Sequence, residues 1–167
     1  KDIGHISKDM ARRYGATGPV ARGSGINFDV RRQEPYSAYP EFDFDIPVYE
    51  EGDAMARDMV RMDEIEQSMR IIEQALDKLP DGPVKPKKAV KSVKPEKGDY
   101  YHAVETARGS LGLRLVSNKT NTAYRLKLRS PTYSNLSLYG EAARGMLLAD
   151  ALALMGSLDL VIPEIDR

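Results

Sequence analysis

The chain has 167 residues, 41% of them apolar, and its 25 Lys+Arg and 25 Asp+Glu leave a formal net charge of zero. That length fits one domain, and the even balance argues against a nucleic-acid partner, whose binding proteins carry a basic excess. The absence of Cys excludes a disulfide framework, a thiolate metal site and a Cys nucleophile. No run approaches the roughly 20 apolar residues that span a bilayer. A chain that opens on Lys1 with no signal-peptide pattern reads as a fragment of something larger, so residues upstream are expected to share in its function.

In chain order, Ser7 reads as the N-cap of a short helix through Tyr14 that Gly15 stops. The Gly- and Pro-rich stretch Ala16–Pro40, with its Tyr36/Tyr39 pair, reads as a long ordered loop, a feature usually tied to function. The clearest element is a helix over Gly52–Leu79, capped by Asp53 and ended by Pro80-Asp81-Gly82-Pro83. Its Met55, Met59, Met62, Met69, Ile72, Leu76 and Leu79 recur at three- and four-residue steps, and core packing is the expected role of that stripe. Its acidic residues Asp58, Asp63, Glu64 and Glu66 alternate with Arg57, Arg61 and Arg70, as ion pairs on a solvated face do.

Residues 85–98 form a basic, proline-spaced linker with no aromatic residue for base stacking. Beyond it the period becomes two. Tyr101–Thr106, Ser110–Ser117 and Ala123–Ser130 alternate as a three-stranded antiparallel meander with one polar face, turning at Asn118–Asn121. Glu141–Met155 returns to helix, with Ala142, Met146, Ala149, Leu152, Ala153 and Met155 expected inside. The predicted class is α+β: mainly helical, with a long central helix and a small antiparallel sheet. The organisation is one domain in four segments, 1–84, 85–98, 99–131 and 132–167.

Self-contained chemistry is scarce. The only histidines, His5 and His102, are far apart in sequence, and the Gly23-Ser24-Gly25 triplet follows no strand and lacks dinucleotide spacing. No complete catalytic set and no metal ligand set is visible.

Several stretches in order carry a resemblance. These are ATGPVARGSGINFDVRR with EPYSAY, GDAMARDMVRMDEIEQSMRII, VETARGSLG, RLKLRSPTY and the terminal LADALALMGSLDLVIPEIDR. Together they resemble the C-terminal half of the D subunit family of respiratory complex I (NADH:quinone oxidoreductase), which is homologous to the large subunit of nickel–iron hydrogenases. The resemblance implies a hydrogenase-like fold. Nickel-binding relatives end in S-[IL]-D-P-C-x-x-C-x-x-[RH]; here Ser157, Asp159, Asp166 and Arg167 keep the frame. Val161 stands where the first Cys would be and Glu164 where the second would be. A valine and one carboxylate cannot replace two soft thiolates, so nickel is not expected. The complex I pattern S-[IL]-D-x-x-x-G-E-[VI]-D-R fits except for Pro163. Arg108 and Gly109 likewise match the hydrogenase E-A-P-R-G motif, with Ala107 in place of its Pro.

What the resemblance implies is a quinone-reduction cavity beside a [4Fe–4S] cluster held by a neighbouring subunit, with no cofactor bound by this chain. Arg22, Arg108 and Arg167 would set the potential there, and Asp159 and Glu164 would anchor those arginines or tune protonation. The implied partners are the iron–sulfur subunit, other complex I-like subunits and quinone. The implied place is the cytoplasmic face of the cell membrane, peripherally bound, and the chain alone is expected to be inactive. The SPTYSNL stretch (Ser130–Leu136) also resembles energy-converting membrane-bound hydrogenases, and Pro163 departs from the respiratory pattern. The alternative, a cysteine-free relative of such a hydrogenase subunit, implies ferredoxin or a reduced deazaflavin as donor. A non-catalytic assembly scaffold is the other alternative.

Overall fold

A computed structural model of the chain describes residues 1–83, 85, 88 and 92–166. Most of the first half of the expected linker therefore lies outside the described residues. Its last residues lead into the sheet, where Ser117 Oγ donates to the Pro95 carbonyl at 2.8 Å and Lys119 pairs with Glu96.

Helix α1 (Lys8–Tyr14) forms as its caps dictate: Ser7 Oγ accepts from Met10 N–H, and Gly15 takes a left-handed φ of 65°. The stretch read as a loop is ordered, and it also folds into two single-turn helices, α2 (Pro19–Arg22) and α3 (Val30–Gln33), and a 3₁₀ turn at Tyr39–Glu41. Pro19 pre-sets the first turn of α2 and Asp29 caps α3 through Arg31 N–H. These turns close up the segment that carries Arg22.

Helix α4 (Ala54–Asp77) starts at its predicted cap, with Asp53 Oδ1 accepting from Ala56 N–H at 2.8 Å. Its 24 residues make a rod about 36 Å long. Contrary to the expectation from its period, the methionine stripe is not core. Ala56, Arg57 and Val60 form the buried face of the first turns, while Met62, Ile65, Met69, Ile72, Leu76 and Leu79 are more than half exposed. The reason lies in what the rest of the chain offers. On the polar flank, Arg70 pairs with Asp43 and Asp45, Gln74 and Gln67 bond the backbone of the same extended segment, and Lys78 bonds the Glu41 carbonyl. The apolar flank has no such neighbour among the described residues.

The sheet is β1 (Gly98–Thr106), β2 (Gly109–Ser117) and β3 (Arg125–Arg129), in that order and antiparallel throughout, with Ala103 opposite Gly112 and Leu113 opposite Leu128. Alternation sends Ala103, Glu105 and Gly112 toward the body and leaves Leu113 and Leu128 on the open face. The inward face thus carries the carboxylate and the outward face the leucines.

What turns the sheet this way is a close backbone approach. The β1–β2 turn lies against the entry to α2: a Cβ at Gly18 would sit 2.3 Å from the Arg108 carbonyl oxygen, and one at Gly109 would sit 2.5 Å from Gly18 N. Thr17 Oγ1 accepts from Ser110 N–H at 2.9 Å, and the Asn135 amide clips both Thr17 N–H and its carbonyl. Gly18→Ala is expected to lower stability by about 2 kcal/mol, through overpacking and a strained positive φ. A urea denaturation midpoint equal to that of the unaltered chain would count against this account.

The predicted C-terminal helix is interrupted. Helix α5 (Pro131–Ser137) and α6 (Tyr139–Ala142) precede a break at Gly145, whose φ of 77° ends the run, and α7 (Leu148–Ser157) follows. Because the break resets the phase, Leu154 and Ser157 are the buried residues of α7, while Ala149, Leu152, Ala153 and Met155 face outward. Ile6, Ala11, Val20, Leu138, Ala142, Leu154 and Leu158 form the core. A final turn, α8 (Ile162–Ile165), carries the tail. The whole is an α+β arrangement of helices around one small antiparallel sheet.

Candidate functional site

Arg22 ends α2 with only 1% of its side chain exposed. Its Nη1 donates to the Phe28 carbonyl at 3.0 Å and to Glu105 Oε1 at 2.9 Å, and its Nη2 lies 2.5 Å from Glu64 Oε1. Asp29 Oδ2 stands 3.6 Å from Nη1. Arg22 Nε is buried with no hydrogen-bond partner among the described residues. Each partner comes from a different element: Glu64 from α4, Glu105 from β1 and Asp29 from the cap of α3. The approach of the β1–β2 turn to Gly18 is what brings the strand close enough.

Charge balance decides the protonation preferences. Asp29 is pushed up by burial, but the bidentate Arg31 beside it outweighs that, and its carboxyl is held below the usual carboxylate range. Glu64 and Glu105 go the other way. Burial raises both, and Arg22 offsets that only in part. Arg31 is fixed over the Phe44 ring at 5.0 Å, so its guanidinium is already committed.

These groups line a cavity of about 390 Å³ whose walls include Arg22, Glu64, Glu105, Arg61, Thr106 and Asp159. Asp159 has a positive φ of 51°, which turns the tail so that Arg108 Nε lies 3.1 Å from Asp159 Oδ2 and donates to its carbonyl at 3.1 Å. The same tail is tied to α4 two residues earlier. Arg57, fully buried, donates to Ser157 Oγ at 2.8 and 3.0 Å, and to the carbonyls of Gly4 and Gly52 at 2.9 Å each. Arg61 Nη2 donates to the Ser157 carbonyl.

Of the residues singled out from the sequence, Arg22 and Asp159 therefore line one cavity, with Arg108 holding Asp159. Glu164 lies elsewhere and anchors no arginine among the described residues. Its carboxylate accepts from the Thr132 hydroxyl and its carbonyl from Ser130 Oγ, on the wall of a second cavity of about 460 Å³ beside Leu128 and Tyr133. The turn of α8 explains this, because it rotates Glu164 away from Asp159 toward α5. Val161 caps α8, half-buried, and Arg167 lies outside the described residues.

Sequence reasoning missed Asp29, Arg31 and Glu105, and placed Glu64 on a solvated face. Glu105 had a usable signal, since a carboxylate in register with Ala103 on an inward face needs a cation. Nothing in the spacing of α4 distinguished Glu64 from its exposed neighbours. No group of three or more His, Asp or Glu residues disposed to hold a metal occurs among the described residues, and no described helix is long and apolar enough to cross a membrane.

Comparison with known proteins gives a match over residues 1–167 to the family described as respiratory-chain NADH dehydrogenase, 49 Kd subunit. Among curated proteins, the chain is 72% identical over 167 residues to the D subunit of the NADH-quinone oxidoreductase of Desulfotalea psychrophila, covering 100% of this chain and 45% of that one. It is 58% identical to the D 2 subunit of the same enzyme in Opitutus terrae, over 99% of this chain and 41% of that one. Against the D subunit of Syntrophobacter fumaroxidans the identity is 50%, over 100% and 45%. The chain thus spans somewhat less than half the length of these relatives.

Proposed function

The chain belongs to the respiratory-chain NADH dehydrogenase 49 kDa subunit family, and from that premise we propose that it forms part of the quinone-reduction cavity of a membrane-associated NADH:quinone oxidoreductase. The observation that carries this reading is the charge-lined cavity whose walls hold both Arg22 and the Arg108-held Asp159. Reducing a quinone places negative charge on its oxygens. Fixed guanidinium groups in a poorly hydrated pocket stabilise such charge far better than water-exposed ones do.

In this reading the electrons come from a [4Fe–4S] cluster in a neighbouring subunit, and the chain contributes walls and electrostatics. It binds no metal of its own: Val161 and Glu164 stand where a nickel hydrogenase has thiolates, and the fold is that of the hydrogenase large subunit. The chain sits peripherally on the cytoplasmic face of the membrane, docked to the other subunits of the complex.

One observation favours a scaffold instead. Arg108 joins the β1–β2 turn to the tail, as a structural staple does. Arg108→Ala in the assembled complex separates the two readings. Loss of quinone reduction by at least about 10-fold with normal assembly is expected, because Asp159 on the cavity wall loses the cation that holds and neutralises it. Normal assembly with unchanged turnover would leave only the scaffold. Glu164→Ala, on the other cavity, is expected to have the smaller effect.

A further inference from the structure

We propose that Glu64 and Glu105, bridged by Arg22, hold one exchangeable proton between them, and that Glu64 delivers it to an oxygen of the reduced quinone in the adjoining cavity. The inference rests on the quinone-cavity reading above.

The ionisable groups that face the cluster are Arg22 from α2, Asp29 and Arg31 from the start of α3, and Glu105 from β1. Glu64 and Arg61 come from α4, and the Arg108–Asp159 pair from the turn and the tail. Asp58, which pairs with Arg61, is 64% exposed, and the buried Arg57 of the same helix is spent on the Gly4, Gly52 and Ser157 oxygens. Asp29 is satisfied by Arg31, Asp58 by Arg61 and Asp159 by Arg108, so Arg22 alone is left for two buried carboxylates. Two carboxylates that share one cation in a poorly solvated site do not both ionise readily, and a single retained proton restores neutrality. Burial acts on Glu64 and Glu105 in the same direction.

Geometry then separates their roles. Glu105 is 4% exposed and both its oxygens are engaged, one by Arg22 Nη1 and the other by Val30 N–H at 3.2 Å. Glu64 is 16% exposed, and among the described residues its carboxylate contacts Arg22 alone, where Oε1 lies close without hydrogen-bond alignment. Both line the cavity, but Glu64 is the one with an uncommitted oxygen. In the delivery step its carboxyl O–H bond breaks and an O–H bond forms on a quinone oxygen that has received electrons from a neighbouring one-electron carrier. The carboxylate left behind shares Arg22 with Glu105, which leaves one negative charge in excess until Glu64 takes up a proton from water in the cavity and the pair is restored.

Carbon-13 NMR of the full chain, labelled at the Glu side-chain carboxyls, reads the proton directly. One Glu resonance is expected to remain un-ionised well above the pH at which the surface glutamates titrate. Glu105→Gln should return Glu64 toward ordinary titration by removing its competitor. In the assembled complex, the wild type should lose quinone-reduction rate as pH rises through that titration. Glu64→Gln should be slower by at least about 10-fold and lack the alkaline limb, with Glu64→Asp restoring the limb. Ordinary titration of every glutamate in the wild type overturns the proton pair and leaves the proposed function standing. A Glu64→Gln complex with an unchanged pH profile overturns the delivery. A wild-type complex that reduces no quinone overturns the proposed function and the delivery together, while the titration still reports on the pair.

Discussion

Replacing Arg57 by methionine is expected to destabilise the chain by about 3 kcal/mol. The loss does not come from a broken ion pair. Arg57 is fully buried and its partners are neutral: the carbonyls of Gly4 and Gly52 and the hydroxyl of Ser157. Burial holds the guanidinium down to about 10, still charged near neutrality. A base whose folded pKa is depressed is penalised at neutral pH and regains stability only as pH rises above about 10, so the charge itself is a cost. What the side chain supplies is the donor for the buried Gly4 carbonyl, whose loss costs about 1–3 kcal/mol, and charge-assisted hydrogen bonds to the Gly52 carbonyl and Ser157 Oγ besides. Ser157 Oγ keeps its bond to the Leu154 carbonyl in the variant and the Gly52 carbonyl keeps Ile6 N–H at 2.8 Å, but the buried Gly4 carbonyl loses the donor that Arg57 gave it. Relief of the buried charge returns part of that loss. Urea denaturation near neutral pH measures the balance, and a midpoint within experimental error of the unaltered chain would sink the argument. The penalty should show as loosening of the first residues, because Gly4 belongs to the segment that Arg57 pins against α4 and α7.

Arg22→Met is expected to cost more, about 4 kcal/mol near pH 8, and to recover as the solution is acidified. The substitution leaves Glu64 and Glu105 buried with no cation of their own. The sign follows from their shifts. Their folded pKa values are raised, so the stability they contribute is complete below the ordinary carboxylate range and is lost as pH rises through the folded value. Removing Arg22 raises them further, which deepens the fall and extends it toward alkaline pH. Asp29 behaves oppositely: held low by Arg31, it contributes above its unfolded pKa and loses that contribution only as pH falls through the depressed value. The difference in stability between Arg22→Met and the unaltered chain should therefore narrow from about pH 8 to about pH 5. A difference that stays constant across that range would mean that Arg22 acts through packing alone.

Local grammar is readable in the sequence. Ser7 and Gly15 bracket α1, Asp53 opens α4, and the leucine alternation of 111–115 and 126–128 forms the predicted hairpin in register. Each of those signals is satisfied within a few residues of itself. The errors share a different physics. Periodicity shows that a helix has a face in need of a partner, not where the partner is, so the α4 stripe points to a core that the described residues do not build. Charge spacing on α4 sees only the helix itself, and Glu64 finds its cation on α2. Arg57 looks like a surface residue because nothing local announces that Gly4, Gly52 and Ser157 will surround it. In the tail, Asp159 stands out as a charge-bearing position and does meet Arg108. Glu164 groups with it in sequence, although one turn of helix sends it to another cavity. Site residues contributed by four or five distant segments are the hardest to read, because few windows of sequence contain two of them.

The open flank of α4 has a practical bearing on the chain in solution. From Met62 to Leu79 the apolar side chains step by three, four, three, four and three residues, the spacing that zips helices together. Charge does nothing to keep copies apart, because positive and negative groups cancel and the isoelectric point is about 7.0. Colloidal repulsion is thus weakest at the pH where enzymologists ordinarily work. An isolated preparation will be best behaved in buffers well away from neutrality and at low concentration, and stickiness near pH 7 would be a property of that exposed seam rather than a sign of misfolding.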